Sequence, residues 1–196
     1  MDSFSSFAEV KVDVYTSSYR ISGTVRTRFS RVAEILNQQS GSHLTVEHAT
    51  VSEYADAMST IGAPSALVAI EEILVMVAPD LAGASGEEMR IPKRAVRARF
   101  SIPPLRLTGA IHVPAGSRPV DGLLNVPDRF MPMTDATLAS GPYPELERSV
   151  AALALRRDRA HVLLVADDER PDELLAEVLD ETTAAAWLRT DEGAGV

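Results

Sequence analysis

The sequence of 196 residues contains no cysteine, only 5% aromatic residues and only two lysines, Lys11 and Lys93, among its 19 basic residues. The lack of cysteine excludes disulfides, thiolate nucleophiles and thiolate metal sites. The few aromatics offer little surface for stacking single-stranded bases, and scarce lysine is typical of GC-rich bacterial genes. The longest apolar stretch, residues 73–79, is far shorter than the roughly 20 residues of a membrane-spanning helix. We therefore expect a soluble, cytoplasmic protein, since the N-terminal residues also lack a signal-peptide pattern.

Sequence motifs of catalysis and cofactor binding are also missing. The chain has no G-x-x-x-x-G-K-[ST] or G-x-G-x-x-G phosphate loop and no G-x-S-x-G turn for a nucleophilic serine. His43 and His48 lie on one predicted strand at a spacing that points them to opposite faces, so they do not share a metal ion. We predict no enzyme, no cofactor and no metal site. A hydrolase or transferase site built from distant residues stays open as an alternative.

The net charge of −9 hides a division of charge along the chain. Residues 1–89 hold 5 basic and 12 acidic side chains, residues 90–166 hold 12 and 6, and residues 167–196 hold 2 and 10. A basic middle therefore lies between two acidic flanks. The basic stretch from Arg90 to Arg106 contains no acidic residue, so it predicts one cationic face that contacts phosphates or docks on the acidic flanks.

Most of the chain is a duplicated unit. Gly23 in "YRISGTV" matches Gly109 in "LRLTGAI" at an offset of 86 residues, and Asn37 matches Asn125 at an offset of 88. The remaining matches are 43–51 with 130–138, 66–70 with 151–155, and 73–80 with 161–168. Because all segments recur in one order, the pattern indicates an internal repeat.

Each repeat has the pattern of five strands and one short helix. In "YRISGTVRT" apolar and polar residues alternate as in a half-buried strand, and "RVAEILN" has one turn of helical spacing. A glycine at the centre of the second strand is typical of a sharp bend or a close approach of another backbone. Strong bending favours two small barrels, which would also limit the exposed strand edges.

The predicted fold is thus mainly β, with two tandem five-stranded small barrels of the SH3-like kind and a C-terminal amphipathic helix. The helix is predicted from "RPDELLAEVLDETTAAAWLRT", with proline at its start and acidic residues in its first turn. The predicted boundaries are 8–80 for repeat 1, 81–93 for a linker, 94–168 for repeat 2 and 169–196 for an acidic helix and tail.

The order of strand, glycine-bent strand, Asn, strand ending in "DA" and apolar hairpin resembles the Sm-like small-barrel family. In that family an Asp and an Asn four residues apart, with an Arg-Gly in the last hairpin, bind an RNA base, and the barrels form rings through their last two strands. Asp121 and Asn125 match this spacing in repeat 2, and Arg156 and Arg157 lie near the hairpin turn. The tandem pattern is also similar to bacterial repeat proteins carrying "RIxG…LN…LTDA…V".

These patterns favour a non-enzymatic binding or scaffold protein that assembles through barrel edges and its C-terminal helix. The expected partner is another copy of the chain, with a homodimer as the simplest closed form, or a different protein; no membrane is expected. The alternative is binding of RNA or a nucleotide by the basic repeat 2, with the acidic tail as competitor. The candidate contacts for that alternative are Arg94, Arg97, Arg99, Asp121, Asn125 and Arg156.

Overall fold

The structure is a computed structural model that describes residues 7–56, 59–81, 92–124 and 127–165. Repeat 1 contains β1 (Ala8–Tyr15), β2 (Tyr19–Thr27), α1 (Val32–Asn37), β3 (His43–Glu53), β4 (Thr60–Ala69) and β5 (Val75–Val77). Repeat 2 contains β6 (Lys93–Ile102), β7 (Leu105–Pro114), α2 (Pro119–Leu124), β8 (Phe130–Ser140), β9 (Arg148–Arg156) and β10 (Val162–Val165). The prediction of a mainly β protein is confirmed, and the two repeats have the same order of elements.

Alternation of apolar and polar residues explains the strands. In β1 the side chains of Val10, Val12 and Val14 are buried, whereas Lys11 between them is exposed. The same period in β6 buries Val96, Ala98, Phe100 and Ile102. In these two strands alternate side chains therefore point into the core, as side chains on a pleated strand do.

The central glycine of β2 lies against the backbone of β3. A Cβ atom added to Gly23 would lie 2.5 Å from the carbonyl oxygen of Glu47, which no larger residue tolerates without movement of the backbone. The β2–β3 register shifts between Ser22 and Thr24 at this point, and His48 has a positive φ of 51°. The glycine thus allows a bulge that bends both strands.

Repeat 2 reproduces this bulge at the matched positions. A Cβ on Gly109 would lie 2.8 Å from the carbonyl oxygen of Thr134, and the β7–β8 register shifts between Thr108 and Ala110. Asp135 has a φ of 47°. The sequence repeat is therefore also a structural repeat in its most unusual backbone feature.

All ten strands of the described residues belong to one antiparallel sheet in the order β10-β6-β7-β8-β9-β5-β1-β2-β3-β4. Each repeat contributes its strands in the order fifth, first, second, third, fourth. The repeats meet where β5 pairs with β9, an arrangement that we call the repeat junction; its Cα partners are Val75↔Leu155, Met76↔Ala154 and Val77↔Leu153. The sheet is not closed into a barrel, so the two predicted barrels are not confirmed.

The cores of the two repeats interlock at the repeat junction. Val75 and Val77 of β5 pack into the core made mostly by repeat 2, while Met76 between them packs into the core of repeat 1. In β9, Ala154 packs into the core of repeat 1. Since each strand of the junction contributes side chains to both cores, the core of each repeat is fully buried only when the other repeat is in place.

Strand pairing corrects two of the sequence matches. In repeat 1, Val68 lies opposite Leu44. The residue of repeat 2 that matches Leu44 is Met131, which lies opposite Leu155. The counterpart of Val68 is therefore Leu155, two residues beyond the Leu153 of the sequence match. Likewise Val77 lies opposite Asp13, and Leu164 lies opposite the matching residue Arg99. The counterpart of Val77 is therefore Leu164, one residue before the Val165 of the sequence match. Short apolar runs such as "ALVAI" and "AALAL" resemble one another in several registers, which explains both errors.

The predicted C-terminal helix and tail and most of the predicted linker lie outside the described residues. Among the residues that are described, no helix is long and apolar enough to cross a membrane.

Candidate functional site

The two outer strands of the sheet, β4 and β10, each have one unpaired edge in the described structure. Both carry large apolar side chains that are exposed: Ile61 at 65% and Leu67 at 70% on β4, and Leu163 at 36% and Leu164 at 44% on β10. Exposed apolar residues along an unpaired strand are typical of a surface that pairs with another strand. We call these two strands the outer edges.

The repeat junction shows what these edges look like when they are paired. By strand pairing, Leu67 corresponds to Ala154, and Leu163 and Leu164 correspond to Met76 and Val77. These three junction residues are each 0% exposed. The same positions of the repeat are therefore buried at the junction and exposed at the outer edges.

Arg156 closes one end of the repeat junction. It is 6% exposed, and its backbone nitrogen donates to the carbonyl oxygen of Leu74 at 2.8 Å. Its guanidinium donates to the carbonyl oxygen of Ile70 at 3.1 Å and to both carboxylate oxygens of Asp158 at 2.8 and 3.2 Å. The hydrogen bonds that Arg156 donates to Asp158 lower the pKa of the Asp158 carboxyl group. The predicted role of Arg156 as a nucleic-acid contact stays untested. In the structure its backbone nitrogen and Nη1 bind carbonyl oxygens of repeat 1, while Nε and Nη2 bind Asp158 within repeat 2.

Asp13 and Arg148 close the other end. Nη1 of Arg148 donates to Oδ2 of Asp13 at 2.6 Å and to the hydroxyl of Tyr15 at 3.0 Å. Asp13 also accepts hydrogen bonds from Arg20 and Ser22 within repeat 1. Burial by itself raises the pKa of Asp13, but the hydrogen bonds from Ser22 and Arg148 and the charge of Arg20 outweigh it and lower the pKa. The carboxylate is thus held ionised by cations from both repeats.

A third contact across the repeats comes from α1. The side-chain nitrogen of Asn37 donates to the carbonyl oxygen of Phe130 at 2.8 Å, and its side-chain oxygen accepts from the Phe130 backbone nitrogen at 2.9 Å. Phe130 itself packs in the core cluster of repeat 1. An asparagine that the sequence pattern relates to a base-binding position therefore serves in repeat 1 as a link between repeats.

The predicted nucleic-acid contacts are distributed over both faces of the sheet. Arg97 and Arg99 lie on the outward face of β6, whereas Arg94 lies on the opposite face of the strand. Nη2 of Arg94 donates to the carbonyl oxygen of Ser117 at 3.2 Å. Asp121 lies on α2, 4.0 Å from Nε of Arg118, and Asn125 lies outside the described residues. Of the five contacts that lie in described residues, the structure brings Arg97 and Arg99 together on one face.

A shallow depression of about 400 Å³ lies on the outward face of repeat 1. It is located at the bulge and is lined by Lys11, Val12, Asp13, Arg20, Ser22, Gly23, Thr24, His48, Thr50 and Pro79. Within the described part of the chain no group of three or more His, Cys, Asp or Glu side chains could hold a metal ion. The depression therefore offers hydrogen-bonding groups and charge but no built metal site.

No protein-family model, curated protein or solved structure matches this chain.

Proposed function

We propose that this protein is a non-enzymatic assembly module whose copies join edge to edge, with β10 of one chain pairing with β4 of the next. The observation that carries this proposal is the contrast between exposed Leu67, Leu163 and Leu164 at the outer edges and their fully buried counterparts at the repeat junction. Burying a fully exposed leucine contributes about 1.5–3 kcal/mol. Leu67 would contribute most of this amount, and the less exposed Leu163 and Leu164 would each contribute a smaller part.

The repeat junction supplies the register of the proposed pairing. Transferring the partners Val75↔Leu155, Met76↔Ala154 and Val77↔Leu153 to the matched positions gives Val162↔Val68, Leu163↔Leu67 and Leu164↔Ala66. Leu67 then packs toward the core of repeat 2 of the neighbouring chain, as Ala154 packs into the core of repeat 1. The pairing is antiparallel, like every other pairing in the sheet.

The proposed contact is heterologous, because it joins two different surfaces of the chain. Such contacts form closed rings when the rotation between chains closes, and open filaments when it does not. A homodimer with two such contacts is the smallest closed form. The predicted C-terminal helix, which lies outside the described residues, would add a further contact in this proposal.

The Sm-like small-barrel architecture is part of the proposal. It is supported by the same strand order in both repeats and by the bulge opposite the central glycine of each repeat.

The test is the molar mass of the full chain in solution, measured by light scattering and sedimentation across a range of concentrations. We expect a defined oligomer, and we expect Leu67→Glu to reduce it to the monomer because the carboxylate would be buried in the contact. Leu124→Glu is the matched control, since Leu124 is 71% exposed but lies on α2, away from both outer edges. A monomeric wild-type chain, or equal loss in both variants, would overturn the proposal.

A further inference from the structure

The internal duplication makes repeat 1 a reference for the outward face of repeat 2. Val12 pairs with Gly23 in repeat 1, and Ala98 pairs with Gly109 in repeat 2. The residues of the two repeats can be matched by counting from these glycines. Asp13 then corresponds to Arg99, Arg20 to Arg106, Ser22 to Thr108 and Lys11 to Arg97. The same surface is thus occupied by different charges in the two repeats.

In repeat 1 a carboxylate occupies the centre of this surface. Asp13 accepts hydrogen bonds from Nε and Nη2 of Arg20 at 3.1 and 2.9 Å and from the hydroxyl of Ser22. Here an Arg and a hydroxyl at these positions bind an oxyanion that the chain itself provides.

In repeat 2 the donors are retained while the oxyanion is missing. Arg106 and Thr108 stand in the places of Arg20 and Ser22, but Arg99 replaces the carboxylate. Within the described residues no ion pair is formed by Arg97, Arg99 or Arg106. Nε of Arg99 is buried and has no hydrogen-bond partner among those residues, although burying an unsatisfied donor costs about 1–3 kcal/mol.

The strand register brings these groups to one place. Arg99 and Thr108 are Cα partners, and residues directly opposite one another have Cβ atoms about 4.5–5.5 Å apart. Arg106 is their diagonal neighbour, and Thr137 of β8 lies opposite Thr108 on the other side. Arg99 and Thr108 therefore lie side by side on the outward face of β6 and β7. The guanidinium of Arg106 lies beside Gly141 at the end of β8, and it reaches an anion at this point when its long side chain turns toward Thr108.

The surroundings provide no substitute for the anion. The acidic side chain on these strands is Asp135, at the bulge of β8, and it forms none of the ion pairs of the described residues. Leu164 of β10 lies beside Arg99. In the edge-to-edge assembly, the residue that takes the place of Arg148 is Ile61 of the next chain, which brings no charge.

We propose that repeat 2 binds a phosphate group, such as that of a nucleotide, on this face through Arg99, Arg106, Thr108 and Arg97. A phosphate dianion suits the site better than a single carboxylate, because it offers more oxygen atoms to the guanidinium and hydroxyl donors and balances more of their charge. The site rests on the contacts within one chain and stands independently of the proposed assembly.

The test is isothermal titration of the full chain with inorganic phosphate, adenosine monophosphate and adenosine. We expect inorganic phosphate and the monophosphate to bind with an affinity that falls as salt rises, and adenosine not to bind. Arg106→Gln and Thr108→Val alter an exposed side chain and a partly buried hydroxyl, and we expect both variants to retain the fold. We expect Arg106→Gln to weaken phosphate binding at least about tenfold, since hydrogen bonds to a charged group contribute about 1.5–3 kcal/mol.

Arg118→Gln is the control for overall charge, because Arg118 lies at the start of α2 with its side chain 84% exposed. It should bind phosphate like the wild type. Absence of phosphate binding by the folded full chain would overturn the proposal, and so would equal weakening by Arg106→Gln and Arg118→Gln. Binding of an oligoribonucleotide without binding of either phosphate compound would also overturn it, because the site is then a diffuse polyanion surface.

Discussion

The side chain of Asn37 pairs with the backbone of Phe130 through two hydrogen bonds, 93 residues away in sequence. An amide side chain can satisfy a backbone N–H and C=O in the way that a neighbouring strand would. It thereby joins α1 of repeat 1 to β8 of repeat 2 beside the repeat junction. This link and the ion pair of Asp13 with Arg148 hold the two repeats in one fixed arrangement.

Replacing Asn37 by alanine should destabilise the whole chain. The change leaves both backbone groups of Phe130 without this partner, and an unsatisfied buried polar group costs about 1–3 kcal/mol. Urea unfolding followed by circular dichroism would measure the loss. Gln39→Ala removes an exposed amide two residues away and should leave the free energy of unfolding unchanged; an equal effect of both variants would show that Asn37 does not link the repeats.

Replacing Gly23 or Gly109 by alanine should also destabilise the chain. At both positions the new Cβ would overlap a backbone carbonyl oxygen of the next strand, and overpacking of this kind costs about 1–3 kcal/mol. Thermal unfolding measures the effect. Gly62→Ala is the matched control, since nothing lies within 4 Å of a Cβ at this position of β4, and its melting temperature should stay close to that of the wild type.

Local sequence signals predicted the elements of each repeat but not the contacts between repeats. The central glycines and the alternation around them were sufficient to predict a bent second strand, because both signals act over a few residues. The pairing of β5 with β9 and the ion pair of Asp13 with Arg148 depend on residues far apart in sequence, for which no local pattern exists. The alternation of residues in β6 was sufficient to predict that Arg97 and Arg99 share one face, whereas the position of Thr108 opposite Arg99 required the register of β6 with β7.

The ion pairs of Asp13 should make stability depend on pH in the acid range. Because the pKa of Asp13 is lowered in the folded chain, the carboxylate stabilises the fold fully above the unfolded pKa of about 3.9. This contribution is lost as pH falls through the lower folded pKa.

Asp13→Asn should therefore lower the free energy of unfolding at pH 7 by about 1–3 kcal/mol, and the difference from the wild type should shrink as the pH falls below about 4. Urea unfolding at several pH values measures both effects. Glu9→Gln alters an exposed carboxylate on the same strand and should show no such difference. A constant gap between Asp13→Asn and the wild type down to the lowest pH would refute the assigned role of the Asp13 charge.

Mixing two edge variants should distinguish edge-to-edge assembly from a symmetric contact. Leu67→Glu disables β4 and leaves β10 intact, whereas Leu164→Glu disables β10 and leaves β4 intact. Each variant alone should be monomeric, because the proposed contact needs one edge of each kind. In an equimolar mixture the intact β10 of the first variant pairs with the intact β4 of the second, so a dimer should form and grow no further. Sedimentation velocity measures this outcome. Dimers of the Leu164→Glu variant alone would instead indicate that β4 pairs with β4, since a symmetric contact uses the same surface on both chains.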